Sequence, residues 1–239
     1  MSASQTDTLE DLAIKHERTG AEIAVDVLNE LGVEYIFGHT GGSIIPLHVE
    51  LNKRIERGEK SPKFILFRQE GGAGHAAEGY TAATGKVGVV LVTSGPGATN
   101  LTTPIADAYM DSRNVIFLTG QVNTSMIGTD AFQEVDTIGI TTPISKHNYL
   151  VTKAHDLEWI LRQAFHVAST GRPGPIVVDI CKNALTESSD NGHEERELRG
   201  YNPNIKMNVA DANLLLEDLL RHEKPVILAG GGIINSNSS

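Results

Sequence analysis

The feature that most constrains the fold of this chain is a repeated unit, in which a short apolar run ends at a glycine-rich turn and a helical segment follows. Such runs end at Phe37, Phe67, Thr93 and Leu118. The run Val87–Thr93 consists largely of β-branched residues, which is typical of a strand buried on both faces of a parallel sheet. About six alternations of strand and helix predict an α/β fold, a parallel sheet with helices on both faces. Ligand contacts are expected from the turns at the carboxyl edge of that sheet.

One junction of this kind carries a carboxylate. The segment Phe64–Gly79 predicts a buried strand that ends at Phe67, followed by a helix of small residues. Glu70 lies between the two, at the edge where open α/β sheets bind ligands. It has two interpretations: a helix-capping residue favoured by the helix dipole, or a functional carboxylate.

The remaining pattern divides the chain into four parts. Residues 1–18 are an N-terminal extension, and 19–182 form the α/β domain, which opens with a capping box at Thr19 and Glu22. Residues 183–208 are polar and predict a linker. Residues 209–239, with an amphipathic helix and a predicted strand at Pro225–Ala229, predict the start of a second α/β domain.

The charge balance excludes several classes of partner. A net charge of −10 and the lack of a lysine or arginine cluster argue against nucleic acid and anionic membranes. The single cysteine, Cys181, rules out an internal disulfide and is expected to be a buried thiol. Residues 1–18 resemble neither a secretion signal nor a transit peptide, and no apolar run could span a bilayer. We therefore expect a cytoplasmic protein.

Generic motifs do not identify the ligand. The turn Ser94–Asn100 could present backbone N–H groups to an anion, but Asn100 stands where a dinucleotide fingerprint has its third glycine. His75 and Glu78 are three residues apart on a helix, but without a third ligand nearby in sequence they predict ordinary polar contacts and no metal site.

Seven blocks of residues together carry a resemblance to a known family. In combination they resemble the large, catalytic subunit of acetolactate (acetohydroxyacid) synthase, a family of thiamine-diphosphate enzymes, from about Thr19 to the end of the chain. The blocks are Gly41-Gly42, Arg68–Tyr80, Val92–Asn100, Thr119–Gln121, Ile127–Glu134, Lys146–Val151 and Gly171–Pro175. The resemblance implies that residues 19–182 are a pyrimidine-binding domain and that Gly230–Gly232 open a flavin-binding domain.

The resemblance also implies roles for individual residues. Glu70 would hydrogen-bond N1′ of the aminopyrimidine ring and so activate thiamine diphosphate, which carries out the carbanion chemistry. Cofactor-binding roles carry over to Gly41, Gly42, Ser43, Glu70, Pro96 and Asn100, and contact with FAD carries over to Arg172. Positions along a substrate channel carry over to Gln121, Phe132, Gln133 and Lys146.

The implied activity is condensation of pyruvate with pyruvate or 2-oxobutanoate, with decarboxylation, in branched-chain amino-acid biosynthesis. Mg²⁺ would be held by a Gly-Asp-Gly motif that this sequence lacks, so the fragment alone is expected to be inactive. The family implies a homodimer or higher homo-oligomer and a small regulatory subunit. Five residues depart from the family pattern and bear on substrate preference and turnover: His39-Thr40, Gln69, Gly71 and Asn123.

Two alternatives stay open at this point. Another thiamine-diphosphate enzyme, such as a pyruvate oxidase or an oxalyl-CoA decarboxylase, would share most of these blocks, although Ile127–Glu134 argues against it. A non-catalytic pyrimidine domain that binds a nucleotide or a partner subunit is the other. A nicotinamide-dependent dehydrogenase is excluded because no acidic residue follows where the ribose would bind.

Overall fold

The alternating pattern folds as one parallel sheet. A computed structural model describes residues 17–189, 198–203 and 206–236. The strands are β1 (Arg18–Thr19), β2 (Tyr35–Gly38), β3 (Lys63–Leu66), β4 (Gly88–Val92), β5 (Val115–Gln121), β6 (His147–Val151), β7 (Ile176–Cys181) and β8 (Ser188–Ser189). β2 to β7 form a six-stranded sheet in the order β3-β2-β4-β5-β7-β6 with parallel pairing throughout, which confirms the predicted α/β fold.

Helices connect the strands and cover both faces. The helices are α1 (Gly20–Glu30), α2 (Ile45–Glu56), α3 (Glu70–Thr84), α4 (Pro96–Thr99), α5 (Thr102–Met110), α6 (Thr137–Thr141), α7 (Leu157–Ser169), α8 (Lys182–Thr186), α9 (Val209–Arg221) and α10 (Gly231–Asn235). One core lies between the sheet and the layer of α1, α2, α7 and α8, and a second lies between the sheet and the layer of α3 and α5.

Local signals set the ends of α1 as the sequence predicts. The Thr19 side chain accepts from the Glu22 backbone N–H, and the Glu22 carboxylate accepts from the Thr19 N–H, so the predicted capping box is present. Gly32 follows the helix with φ of 76°, a left-handed conformation that glycine adopts without a steric penalty.

Two predicted strands differ from the structure. β3 is an edge strand and not a fully buried one, since Phe64 and Ile65 are only half-buried and Leu66 is 63% exposed. Both faces of this short strand are only partly covered, which a sequence pattern cannot separate from full burial. Residues 225–229, predicted as a strand, have no regular secondary structure and no strand partner among the described residues.

The packed unit continues past residue 182, the predicted end of the domain. Ala184 and Leu185 of α8 are fully buried in the first core, and Ser188–Ser189 pair antiparallel with Arg18–Thr19. In α9, by contrast, no side chain is buried. The division into domains stays a prediction. No helix among the described residues is long and apolar enough to cross a membrane.

Candidate functional site

The strand order creates one position where loops on the carboxyl edge diverge. From β2 the chain moves to β3 on one side, and from β4 it moves to β5 on the other side. β2 and β4 are neighbours, so a crevice opens between the turns that follow them, which is where open α/β sheets bind ligands. The predicted cofactor residues Gly41–Ser43, Pro96 and Asn100 all lie on these two turns.

Hydroxyl groups lock the two turns together. Ser43 Oγ lies 2.9 Å from Thr93 Oγ1, and the Ser94 N–H donates to Ser43 Oγ at 3.0 Å. Ser43 is 7% exposed and Thr93 is also 7% exposed, so this contact is shielded from water. In this chain the Ser43 hydroxyl therefore ties β2's turn to β4's turn. Its predicted contact with a cofactor stays a prediction.

Three glycines allow the segments around the crevice to pack closely against one another. A Cβ on Gly41 would lie 2.4 Å from Thr93 Cβ, and one on Gly120 would lie 2.0 Å from Ser43 Oγ. Gly95 has φ of 60°, and a Cβ there would lie 2.6 Å from the Gln133 carbonyl oxygen. Gly42 is different, because a Cβ there would meet nothing within 4 Å. Gly42 is exposed and leaves open space at the mouth of the crevice.

Glu70 reaches this crevice from the adjoining strand β3. It is the first residue of α3, and its Oε2 accepts from Asn100 Nδ2 at 2.9 Å. The helix cap is Gln69, whose side-chain oxygen accepts from the Gly72 N–H at 2.9 Å. Gln69, and not Glu70, therefore caps the helix, while Glu70 stands in the first turn of α3, where the helix dipole favours a carboxylate. The carboxylate is half-buried and joined to the turn after β4.

His39, one of the departures from the family pattern, connects the turns after β2 and β3. Its Nδ1 lies 2.6 Å from the Phe67 carbonyl oxygen. Because a carbonyl oxygen only accepts, Nδ1 carries the proton in this contact. The imidazole thus holds the end of β3, three residues before Glu70, against the turn after β2.

A strained loop after β5 closes one side of the crevice. Asp130 and Gln133 have φ of 55° and 60°, left-handed values that non-glycine residues rarely adopt. The Glu134 carboxylate accepts from the N–H groups of Gly128 and Ala131, and these bonds, Gly128's first, hold the pKa of Glu134 below its usual range. Phe132 projects from the loop tip with 87% of its surface exposed.

Gln121, expected at the substrate channel, uses its side chain inside the protein. Its Nε2 donates to the Val135 carbonyl at 2.8 Å and to Asp179 Oδ2 at 2.9 Å, and its Oε1 accepts from the Val122 N–H. The residue is 4% exposed. Direct contact with substrate stays a prediction for Gln121 and for Phe132, whereas the backbone of Gln133 does lie beside Gly95.

Lys146 lies away from Glu70, at the amino edge of the sheet, because it immediately precedes β6. Its Nζ donates to the carbonyl groups of Val167 and Thr170 at the end of α7, at 2.5 and 2.6 Å, and stands 5.5 Å from the Tyr201 ring centroid. Within this chain the ammonium group therefore caps the C-terminus of α7, because a lysine there can donate to the last carbonyl groups of the helix. This contact is neither that of a solvated surface lysine nor that of a channel residue. Its channel role stays a prediction.

Arg172 also lies at the amino edge, before β7. Its Nε donates to Ser112 Oγ at 2.8 Å, and its Nη2 donates to the carbonyl groups of Tyr109 and Met110 at 3.2 Å each. The guanidinium thus closes the end of α5, not the turn in which it stands. It remains exposed, and among the described residues Nη1 has no hydrogen-bond partner.

A third polar group joins His75 and Glu78 in space. Asp107 of α5 comes 3.5 Å from His75 Nδ1, which lies 3.4 Å from Glu78 Oε2. The sequence did not indicate this third ligand, because the packing of α3 on α5 supplies it. All three ligand atoms lie within 4.8 Å of one another, but the groups are partly or largely exposed, so ordinary polar contacts account for them.

A cavity of about 900 Å³ lies at the carboxyl ends of β5, β6 and β7, on the far side of the sheet from Glu70. Its walls include Asn123, Thr152 and Asn183, and it is bordered by Glu17 and Ser189. We place the candidate site at the crevice between β2 and β4 because the strand order and the convergent polar groups coincide there.

Two polar residues of the site region were missed at the sequence level, Thr119 and Asp179. Thr119 Oγ1 lies 2.6 Å from Asp179 Oδ1, and the two residues are paired across β5 and β7. The available signal was a lone carboxylate in the apolar run Ile176–Cys181. Cys181 itself is fully buried as expected, and burial raises the pKa of its thiol.

Comparison with known proteins agrees with this geometry. The chain matches the family described as "Thiamine pyrophosphate enzyme, N-terminal TPP binding domain" over residues 18–140. That range contains the turns after β2 and β4, Glu70, and the loop after β5. It ends before β6 and β7, so it does not include Asp179.

Individual relatives are larger proteins. The chain is 46% identical over 222 residues to the acetolactate synthase of Mycobacterium bovis, covering 92% of this chain and 35% of that protein. It is 47% identical over 226 residues to the acetolactate synthase large subunit of Buchnera aphidicola subsp. Acyrthosiphon pisum, covering 92% and 38%. For the large subunit of Lactococcus lactis subsp. lactis the identity is 43% over 231 residues, covering 96% and 39%.

The chain thus spans 35–39% of the length of these curated relatives. Three observations have one explanation: the strand order of the sheet, the Glu70 carboxylate at the crevice between the turns after β2 and β4 (the switch point of the sheet), and the family match over residues 18–140. The chain belongs to the thiamine pyrophosphate enzymes, of which it carries the N-terminal TPP-binding domain.

Proposed function

We propose that this chain is the N-terminal part of an acetolactate synthase and provides the pyrimidine side of its thiamine-diphosphate site. The relatives at 43–47% identity are named acetolactate synthases, and the identity extends over more than nine-tenths of the chain. The observation that carries the proposal is the Glu70 carboxylate, which Asn100 orients at the switch point of the sheet.

The residues present fit an aminopyrimidine ring. Asn100 Nδ2 donates a hydrogen bond to Oε2 of Glu70, whereas among the described residues Oε1 of Glu70 has no hydrogen-bond partner. A half-buried carboxylate with one oxygen fixed and one free can accept a hydrogen bond from a ring nitrogen that carries a proton. Gly42 leaves open space beside it, and exposed Pro96 begins the short helix that carries Asn100's turn.

Glu70 would act by holding a proton at N1′ of the ring. A carboxylate stabilises the protonated ring nitrogen through a charge-assisted hydrogen bond, which is about twice as strong as a neutral one. Asn100 would keep the carboxylate in one orientation, since its Nδ2 engages the other oxygen. When bound, thiamine diphosphate supplies the electron sink that makes decarboxylation of a 2-oxo acid possible.

The substrate side of the site would be formed by the loop after β5. Gln133 stands on this loop with its backbone next to Gly95, and its neighbour Phe132 is largely exposed. The proposed substrates are pyruvate, as donor, and a second 2-oxo acid, pyruvate or 2-oxobutanoate, as acceptor. Branched-chain amino-acid biosynthesis is the proposed setting.

The finer assignments belong to the same proposal. Mg²⁺ and the diphosphate would be held by residues outside this chain, and FAD would meet the exposed Arg172, whose Nη1 is uncommitted among the described residues. A homo-oligomer and a cytoplasmic location complete the assignment. The exposed face of α3 near Glu70 presents Gly72 and Gly79, which carry no side chain, on either side of the exposed His75.

The test is acetolactate formation from pyruvate by the intact reading frame that contains this sequence, with thiamine diphosphate, Mg²⁺ and FAD supplied. Glu70→Gln keeps the size of the side chain and an acceptor for Asn100 but removes the charge. We expect kcat to fall by at least about 100-fold, the usual range for loss of a group that moves or holds a proton.

Glu78→Gln is the matched control. Glu78 lies on the same helix, but its carboxylate faces His75 and not Asn100. This variant should retain kcat within about threefold, since it removes only a surface contact. Near-normal turnover of Glu70→Gln would refute the proposed role, and decarboxylation of pyruvate without acetolactate would identify a different enzyme of the family.

A further inference from the structure

A carboxyl group lies in the interior of the sheet, where the fold does not require one. Asp179 is 1% exposed in the middle of β7, and its neighbours Val178 and Ile180 are aliphatic. Thr119 Oγ1 lies 2.6 Å from its Oδ1, and Gln121 Nε2 donates to its Oδ2 at 2.9 Å. Burying a carboxyl costs free energy even when it is hydrogen-bonded, so an aliphatic residue would suit the core better.

Gln121 connects this buried group to the loop after β5. Its Nε2 carries two hydrogen atoms and meets two acceptors, Asp179 Oδ2 and the Val135 carbonyl, at 2.9 and 2.8 Å. Its Oε1 is taken by the Val122 N–H at 2.9 Å. These three contacts allow only one orientation of the amide, which therefore transmits the position of Asp179 to the backbone at Val135.

The loop needs such an anchor because its backbone is strained. Left-handed φ values at Asp130 and Gln133 are sterically unfavourable for residues with a Cβ. The Glu134 carboxylate bonds the loop to itself through Gly128 and Ala131, but that contact does not attach it to the sheet. The bond from Gln121 to Val135 does.

Beyond the anchor, contacts continue to the candidate site. Gln133 packs its backbone against Gly95, where a Cβ would lie only 2.6 Å from the Gln133 carbonyl oxygen. Gly95 precedes Pro96, the turn ends at Asn100, and Asn100 donates to Glu70. The loop is thus in direct contact with the segment that orients the proposed catalytic carboxylate.

We propose that Asp179 is a positioning residue, which acts through Gln121 to hold the loop of residues 128–135 against Gly95 at the mouth of the cofactor crevice. The loop-holding role stands on the contacts within this chain, whereas its consequence for catalysis rests on the proposed function. Thr119 Oγ1 donates to Oδ1 of Asp179 and Gln121 Nε2 donates to Oδ2, and burial raises the pKa of this carboxyl group to about 7.

Two substitutions of similar size separate hydrogen bonding from packing. Asp179→Asn retains an acceptor for Gln121 Nε2, and its amide N–H group can donate to Thr119 Oγ1, which reverses the direction of that hydrogen bond. Asp179→Leu fills the space, but Gln121 Nε2 then keeps only the Val135 carbonyl as a hydrogen-bond acceptor. Thr119→Val is the control, because it removes the other hydrogen bond of Asp179 without touching the link to the loop.

The measurement is amide hydrogen exchange on the 239-residue chain, read at the N–H groups of Ala131 and Glu134, which are hydrogen-bonded within the loop. Asp179→Leu should accelerate exchange at both by about tenfold or more, the effect of losing one hydrogen bond. Asp179→Asn and Thr119→Val should stay within about threefold of the parent. Amides of β4 and β5 should be unchanged in all variants.

Unchanged loop exchange in Asp179→Leu would overturn the proposal, as would equal acceleration across β4 and β5, which would indicate general destabilisation. If Asp179→Leu does not fold, Gln121→Leu severs the same link and leaves the Thr119–Asp179 pair in place. Neither result depends on catalysis, so an inactive intact enzyme would refute only the proposed function. If the intact enzyme is active, Asp179→Leu should lower its kcat/KM for pyruvate, whereas Asp179→Asn should keep kcat/KM near that of the parent.

Discussion

Asp179 makes the stability of this domain depend on pH in a specific direction. Its carboxyl pKa is raised from 3.8 to about 7, mainly because burial disfavours the charged form. Between these values the folded chain keeps a proton that the unfolded chain has released. The free energy of unfolding must therefore fall as the pH rises through this window and level off above it.

Asp179→Asn should remove that slope. Between pH 5.5 and 7 the parent chain should lose about 2 kcal/mol of unfolding free energy relative to the variant, since one proton contributes about 1.4 kcal/mol per pH unit. Urea unfolding of both proteins at the two pH values measures the difference. Because every other titrating group is common to both chains, parallel pH profiles would show that Asp179 is already ionised at pH 5.5.

Two glycines of helix α3, Gly74 and Gly79, differ in whether helix packing requires them. Gly74 faces α5, and a Cβ there would lie 2.5 Å from Pro104 Cγ and 2.6 Å from Pro104 Cβ. Gly79 is exposed, and a Cβ there would meet nothing within 4 Å. Only the first glycine is required by helix packing, although the two look alike in the sequence.

Alanine substitutions should distinguish these glycines. Gly74→Ala should destabilise the chain by about 1–3 kcal/mol, because the proline ring cannot move aside without shifting α5. Gly79→Ala should stabilise it by up to about 1 kcal/mol, through the higher helix propensity of alanine. Denaturant unfolding measures both. A neutral Gly74→Ala would mean that α3 and α5 can separate without cost, and the proximity of His75 to Asp107 would then be loose too.

The whole molecule consists of a packed sheet unit and a following segment with little burial. α7 buries its apolar face, with Leu157 and Leu161 fully inside the first core. The leucines of α9 lie in the open, with Leu214 and Leu215 each 63% exposed and Leu220 78% exposed. Stability of the sheet unit should accordingly come from residues up to Tyr201, whose hydroxyl meets Lys146 and Thr170.

Two shortened chains test this division. A chain that ends after Pro203 should unfold cooperatively with a thermal midpoint within about 3 °C of the parent, a shift that corresponds to less than 1 kcal/mol. A chain that ends after Cys181 should lose several degrees or more, because burial of Leu185 alone stabilises by about 1.5–3 kcal/mol. Calorimetry compares them. A large loss in the first chain would show that α9 supports the sheet.

The sequence by itself determined the element order, the parallel sheet and the edge at which ligand binding is predicted. Those follow from periodicity, glycine turns and the capping box at Thr19, which are local properties of the chain. Glu70 was identifiable for the same reason, because a carboxylate at the end of a strand and the start of a helix has a defined place in any parallel sheet. Contacts between distant segments were not identifiable in this way.

Only the tertiary structure decided how the polar groups were paired. Asn100 meets Glu70 across thirty residues of sequence, and Gln121 meets Asp179 across fifty-eight. It also placed Lys146 and Arg172 at the amino edge, away from Glu70, because each precedes its strand. Strand β3 became an edge by the order of pairing, not by its composition. Such pairings depend on which strands become neighbours, and a local pattern of residues does not contain that information.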